Sequence, residues 1–122
     1  MVLSTSTRRT MSDETRKLRP AVFQILLALA GGKLHGLGIA GEVEQATGGG
    51  MELGPGTLYR SLKEMVGWGL IEEVASETSA DPRRKYYAIT ARGRGLLGEE
   101  ARRLARVVEV ARQRSVLREG DL

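Results

Sequence analysis

The side chains best equipped to do chemistry in this chain are cations, and they gather in two places. Arg60 and Lys63 stand three apart within GPGTLYRSLKEMVGWGLIEEV, residues 54–74. Arg83, Arg84 and Lys85 are consecutive within DPRRKYYAIT, residues 81–90. From Arg83 to Arg94 there are five basic residues and no acid. A guanidinium grips a phosphate or a guanine edge with two parallel hydrogen bonds, whereas an ammonium acts as a point charge. Two cationic prongs suit a polyanion, and the DNA major groove has room for one α-helix. Other chemistries lack their parts. There is no cysteine, so disulfides, thiolate catalysis and cysteine-based zinc sites are excluded. His35 is the only histidine and cannot build a multi-histidine metal site. Glu72, Glu73, Glu77 and Asp81 read as surface carboxylates, with no nucleophile and base beside them. The triple glycine at 48–50 lacks the lysine and the preceding strand of a phosphate-cradling loop. No catalytic residue, metal or cofactor is expected.

The elements that must position these cations follow from periodicity. Residues 1–17 are rich in Ser, Thr and Arg without sustained period and read as a flexible basic arm. Two readings stand for it: an inert terminus, or an arm touching a DNA backbone through Arg8, Arg9, Arg16 and Lys17. A first helix starts near Leu18, with Pro20 in its first turn. Val22, Phe23, Leu26, Leu27 and Leu29 face inward, and Gly31-Gly32 ends it. Lys33 to Gly36 reads as a turn. A second helix covers Gly36 to Thr47 with Leu37, Ile39, Ala40 and Val43 as its apolar positions. Gly38 and Gly41 weaken it by about 1 kcal/mol each relative to alanine, so packing must hold it.

The third helix, Thr57 to Trp68, points Leu58, Leu62, Met65 and Val66 inward at 3.6-residue spacing. Arg60, Lys63 and Gly67 fall on the opposite face. Leu70 to Ala75 and Lys85 to Thr90 read as an antiparallel pair around the turn-rich Ser76 to Arg84. Thr90 reads as the N-cap of a last helix running to about Arg118. Leu97, Ala101, Leu104, Val108 and Ala111 form an apolar stripe along it, widened by Val107, Val110 and Leu117. So long a helix outruns its own small domain, and its stripe is expected to meet the same helix of a second subunit.

The fold class expected is therefore mainly α with a small β-hairpin. A winged helix-turn-helix over 18–90 follows the arm, and a C-terminal dimerisation helix and tail fill 91–122. The candidate DNA contacts are His35, Gly54, Thr57, Tyr59, Arg60, Lys63, Arg83, Arg84 and Lys85. For Tyr59, a hydroxyl on a phosphate and a half-buried packing ring are both open. Of Tyr86 and Tyr87, which point to opposite sides of a strand, one is core and the other covers the wing. His35 is a turn residue that caps the second helix or touches a backbone. Trp68 packs near the strands.

Length and composition set the frame. The 122 residues suffice for one domain. Nineteen Lys+Arg against fifteen Asp+Glu give a formal charge of +4 and a pI near 9.8, which is compatible with nucleic acid. The longest apolar run, Ala21 to Ala30, is too short to cross a bilayer and contains Gln24. With no secretory leader pattern and no cysteine, a cytoplasmic setting is expected.

In this order, several pieces resemble the PadR family of bacterial transcriptional regulators. They are the leucine-rich first helix, His35-Gly36, Gly56-Thr57-Leu58-Tyr59-Arg60-Ser61-Leu62, Gly69-Leu70-Ile71-Glu72, Arg84-Lys85-Tyr86-Tyr87, and Ile89-Thr90 with Gly93. The resemblance spans roughly Leu18 to Leu104. It implies a homodimeric winged-helix repressor on a palindromic operator, dimerised through its C-terminal helix together with its N-terminal one. The single C-terminal helix is similar to that of the smaller subgroup. Three positions depart from the pattern. Leu37 and Gly38 stand where an aromatic and an acid are common, and Trp68 stands where an acid or Asn is common. The C-terminal helix has no aromatic residue, unlike relatives that hold planar drugs between aromatic rings. A small-molecule effector stays open and unnamed. The rival readings are a winged-helix module that binds protein and not DNA, an RNA binder, and a small enzyme.

Overall fold

The computed structural model of the chain describes residues 18–75 and 84–121. The arm expected over residues 1–17 and the tip of the hairpin, Arg83 included, lie outside the described residues.

Helix α1 (Pro20–Ala30) starts on a proline, whose missing N–H is no loss there, and buries Val22, Ile25, Leu26 and Leu29. It begins two residues later than the sequence suggests. Leu27 is 44% exposed rather than inward. The expected turn at Lys33 to Gly36 is in part a strand, β1 (Leu34–His35). Helix α2 (Gly36–Ala46) buries Ile39 and Val43, while Leu37, another of its apolar positions, is 69% exposed.

Helix α3 (Pro55–Gly67) starts two residues earlier than Thr57 and buries Leu58, Ser61, Leu62 and Met65. Val66 is 37% exposed, because the buried arc centres on Leu58 and Met65 and Val66 falls at its edge. Strands β2 (Ile71–Val74) and β3 (Tyr86–Ile89) pair antiparallel, Ile71 opposite Ile89 and Val74 opposite Tyr86. β1 joins on the other edge, Leu34 opposite Tyr87, so the sheet order is β1-β3-β2. Central β3 turns Tyr87 into the core, where it is 6% exposed, and leaves Tyr86 half-buried. The core lies between α1, α2, α3 and the base of the sheet, around Ile25, Leu26, Leu29, Ile39, Leu62 and Met65.

Helix α4 (Ala91–Gln113) is 23 residues, about 34 Å long at 1.5 Å per residue. Thr90 caps it as expected, accepting a hydrogen bond from the Gly93 N–H at 3.0 Å. Near its start Leu96, Leu97 and Glu100 are buried in the protomer. Arg103 grips the Glu100 carboxylate with Nε at 2.9 Å and Nη2 at 2.6 Å. Those bonds hold the carboxyl below its ordinary value against the opposing effect of burial, and attraction to the guanidinium adds to them.

The helix ends five residues short of Arg118, for a reason the sequence hides. Ser115 adopts φ 63°, the left-handed region. The Val116 N–H then reaches Ala111 O at 2.8 Å and the Ser115 N–H reaches Arg112 O at 3.1 Å. This is a Schellman reversal, which usually carries glycine. A serine there bears roughly 1–2 kcal/mol of steric strain. Ser115→Gly is therefore expected to raise the urea midpoint, worth about 0.5–1 kcal/mol once glycine's freedom in the unfolded chain is subtracted. A midpoint that falls would show that the reversal is not strained.

Candidate nucleic-acid interface

Because Leu58, Leu62 and Met65 turn inward, Arg60 and Lys63 are forced outward on α3, and both are exposed. Neither has an ion-pair partner among the described residues. The one acid on this stretch of α3, Glu64, is engaged elsewhere: Arg19 Nη2 stands 2.7 Å from its Oε1. The same guanidinium lies 5.7 Å from the centre of the Trp68 ring. Arg19 and Trp68 thus clasp one flank of α3, and Trp68 is partly buried there against the core. Gly54 is the N-cap of α3 and Thr57 is exposed in its first turn.

The other flank of α3 faces the wing. Tyr59, 50% exposed, lays its hydroxyl over the first residue of α2: a β-carbon on Gly36 would come 2.6 Å from it. His35 occupies the N-cap position of α2, but its side chain makes no capping bond. Its ring instead packs on Tyr86, centres 5.4 Å apart and tilted 55°. Arg84 and Lys85 are exposed at the start of β3. Lys85 Nζ is 3.7 Å from Glu73 Oε2 across the strands, a solvent-screened pair that contributes little. Burial first, then the nearby Glu73 charge and Tyr59, push the Tyr87 phenol above its ordinary value, so it is neutral at physiological pH.

These groups surround two adjoining clefts. One, of about 390 Å³, is bounded by His35, Gly36 and Leu37 at the start of α2, by Tyr59, and by Arg84, Lys85 and Tyr87. The second, of about 370 Å³, separates α3 from the wing and is bounded by Tyr59, Leu62, Lys63, Val66, Glu73, Lys85 and Tyr87. Of the sequence candidates, His35, Tyr59, Lys63, Arg84 and Lys85 are thus brought together. Arg60, Thr57 and Gly54 stand on the exposed surface of α3 outside both clefts. Arg83 lies outside the described residues.

Two groups escaped the sequence reading. Leu37, counted among the apolar positions of α2, is an exposed wall of the first cleft. Lys33 looked like part of a turn, yet its Nζ donates to Ala75 O at 3.2 Å and braces the end of β2. Leu37 stands about 200° round α2 from Ile39, so spacing alone points it away from the core, whereas nothing in the sequence marks the Lys33 contact.

The stripe on α4 divides. Leu97 is packed in the protomer's own core. Leu104, Val108 and Ala111 are half-buried, Ala101 is exposed, and Val107 and Val110 are 53% and 42% exposed. Among the described residues, no helix is long and apolar enough to cross a membrane. No group of three or more His, Asp or Glu could hold a metal ion among them either.

Known proteins place this architecture. The family model "Transcriptional regulator PadR-like family" matches residues 25–99. A PadR family transcription regulator from a hypervirulent Clostridium difficile is 29% identical, with a TM-score of 0.65 over 76% of this chain and 95% of that one. RosR of H. salinarum is 29% identical, with a TM-score of 0.58 over 84% and 98%. Bacillus subtilis PadR, solved in complex with operator DNA, shares the fold at 23% identity, with a TM-score of 0.60 over 68% of this chain and 46% of that one. A 37.1 kDa protein of transposon TN4556 from Streptomyces fradiae is 36% identical over 83 residues, 68% of this chain. The chain spans about a fifth, 22%, of that relative's length. Members of the matched family regulate transcription and are not enzymes. With the family model covering residues 25–99, more than half of the chain, the chain belongs to the PadR-like family of transcriptional regulators.

Proposed function

We propose that this chain is a homodimeric, sequence-specific DNA-binding repressor that acts on a palindromic operator in the cytoplasm. The observation that carries the reading is the surface shared by α3 and the wing. Lys63, Arg84 and Lys85 border adjoining clefts, and Arg60 stands exposed on the same helix. Each subunit lays α3 in a major groove. Arg60 meets base edges, Lys63 meets phosphate, and Arg83, Arg84 and Lys85 hold the flanking backbone. Tyr59 and the first turn of α2 approach the same strand.

A second copy supplies the symmetry. The face of α4 that is buried at Leu96, Leu97 and Glu100 continues through Leu104, Val107 and Val108, where its own domain covers it only in part. Pairing of two such faces buries them and duplicates the reading heads. The half-sites are then separated by a helical turn, about 34–36 Å, or a multiple of it. An effector, of unassigned chemistry, regulates only by binding one dimer arrangement better than the other.

Salt dependence tests the central claim. Neutralising phosphates releases counterions, so the logarithm of the binding constant should fall linearly with the logarithm of salt, with a slope of about −0.9 per phosphate contact. Lys63→Ala and Arg84→Ala should each reduce that slope by about one. Affinity for duplex DNA that is indifferent to salt would refute the reading and leave a protein-binding winged helix in its place. Preference for duplex RNA in competition would also refute it.

A further inference from the structure

The dimer proposed above has a mechanical requirement: something must fix the angle between α4, which pairs, and α3, which reads. One small junction makes both connections. Helix α3 ends at Gly67, and the Leu70 N–H closes its last turn on Met65 O at 3.0 Å. The carbonyls of Gly69 and Leu70 then face the start of α4. The Thr90 N–H donates to Leu70 O at 3.0 Å. The Thr90 hydroxyl lies 2.7 Å from Gly69 O and 3.0 Å from Leu70 O, and it accepts from the Gly93 N–H at 3.0 Å. A hydroxyl has one proton and two lone pairs, so it can donate to one of these carbonyls while accepting from Gly93. One threonine thereby joins the end of the reading helix to the first turn of the pairing helix.

Gly93 makes the junction tight. A β-carbon there would overlap the Leu70 carbonyl oxygen and come 2.9 Å from Ile89 Cγ1. Backbone rather than a flexible side chain fills the space, so the obstacle cannot swing away. On the far side Arg94 Nη2 donates to Ala30 O at 3.1 Å, and Leu96 and Leu97 are buried. The first two turns of α4 are therefore held against α1 and against the Gly69-Leu70 link between α3 and β2. From Ala101 onward the helix is mostly exposed.

We infer that Thr90 and Gly93 are positioning residues that set the operator half-site spacing, by locking the reading helix at one angle to the pairing helix. The lever is long. From Gly93 to Val108 the helix rises roughly 22 Å at 1.5 Å per residue. A tilt of roughly 10° at the junction would move the paired end by about 4 Å, against a base-pair rise of about 3.4 Å. Slack of that size erases discrimination between neighbouring spacings. Neither residue needs to touch DNA. The inference rests on the dimeric reading and adds where its geometry is set.

The experiment uses the full chain and the palindromic duplex it selects from random DNA, together with versions lengthened or shortened by one base pair at the centre. Wild-type affinity is expected to drop at least tenfold on either change. Thr90→Ser, which keeps the hydroxyl, should preserve that profile. Thr90→Val, which keeps the shape and loses both hydroxyl bonds, should reduce the discrimination below threefold or move the optimum by one base pair. Its affinity for an isolated half-site should stay within twofold of wild type, and sedimentation should still show a dimer. Gly93→Ala should move the profile too, by crowding Leu70. A spacing-sensitive wild type with an unaltered Thr90→Val profile would sink the junction alone. Equal losses on half-site and full site would assign Thr90 a purely structural part and overturn the inference. A wild type blind to spacing would overturn the dimeric reading and this inference with it.

Discussion

Leu104→Glu is expected to turn the protein into a monomer in sedimentation and to weaken operator binding by roughly 10²–10⁴-fold. The factor is the avidity lost when two linked half-site contacts become independent. Leu104 is half-buried at the point where α4 leaves its own domain, between buried Leu97 and exposed Val107. In a dimer it would be covered by the partner helix. A carboxylate there would be desolvated without a partner, a cost of several kcal/mol that the monomer avoids. The same substitution at Val116, which is 72% exposed beyond the helix end, should leave the dimer intact and serves as the control. Thermal unfolding of Leu104→Glu should remain cooperative, because Leu104 lies outside the buried core cluster. A dimer that survives Leu104→Glu would place the interface elsewhere, and the operator reading would need another source of two-fold symmetry.

The parts of this architecture legible in sequence are those with a repeating period or an unambiguous cap. Leu58, Leu62 and Met65 repeat at helical spacing and are all buried, so the direction of Arg60 and Lys63 followed directly. Thr90 between a strand and an apolar-periodic run announced the start of α4, and it caps there. The wing pair was readable because a turn-rich stretch separates two short β-prone runs, which pair in register from Ile71–Ile89 to Val74–Tyr86.

What was not legible depends on tertiary context. β1 has two residues, too few for any period, and exists because β3 offers a free edge to Leu34 and His35. Leu37 is a counter-case: it stands two residues before Ile39, about 200° round the helix, so the spacing itself turns it away from the face that Ile39 and Val43 share. Its 69% exposure follows from that offset. The stop at Gln113 is invisible because the left-handed residue is Ser115, and glycine is the residue that signals such a turn. In the sequence, Gly93 stands out only through the resemblance to the PadR family. The physical cause of its tight packing, the Leu70 carbonyl, comes from the residue just before β2, 23 positions back along the chain.

Arg60→Ala and Lys63→Ala separate reading from holding, and their contrast carries more than either alone. Both side chains are exposed on α3 without an ion-pair partner among the described residues, so neither truncation should disturb the fold. A bidentate arginine–guanine pair is worth about 1–3 kcal/mol of discrimination, so Arg60→Ala should weaken the cognate site by roughly 5–150-fold. Non-specific DNA should lose far less, and the base preference at one position of each half-site should relax. Arg60→Lys should retain much of the non-specific affinity and still lose that preference, because an ammonium lacks the planar fork. Lys63→Ala should instead weaken all sequences by a similar factor. Gel shifts on the cognate site and on single-base variants at fixed salt distinguish the two patterns. Equal losses for Arg60→Ala across every sequence would make Arg60 a phosphate contact. The reading of bases would then fall to other groups on the exposed surface of α3, with Thr57 the first to examine.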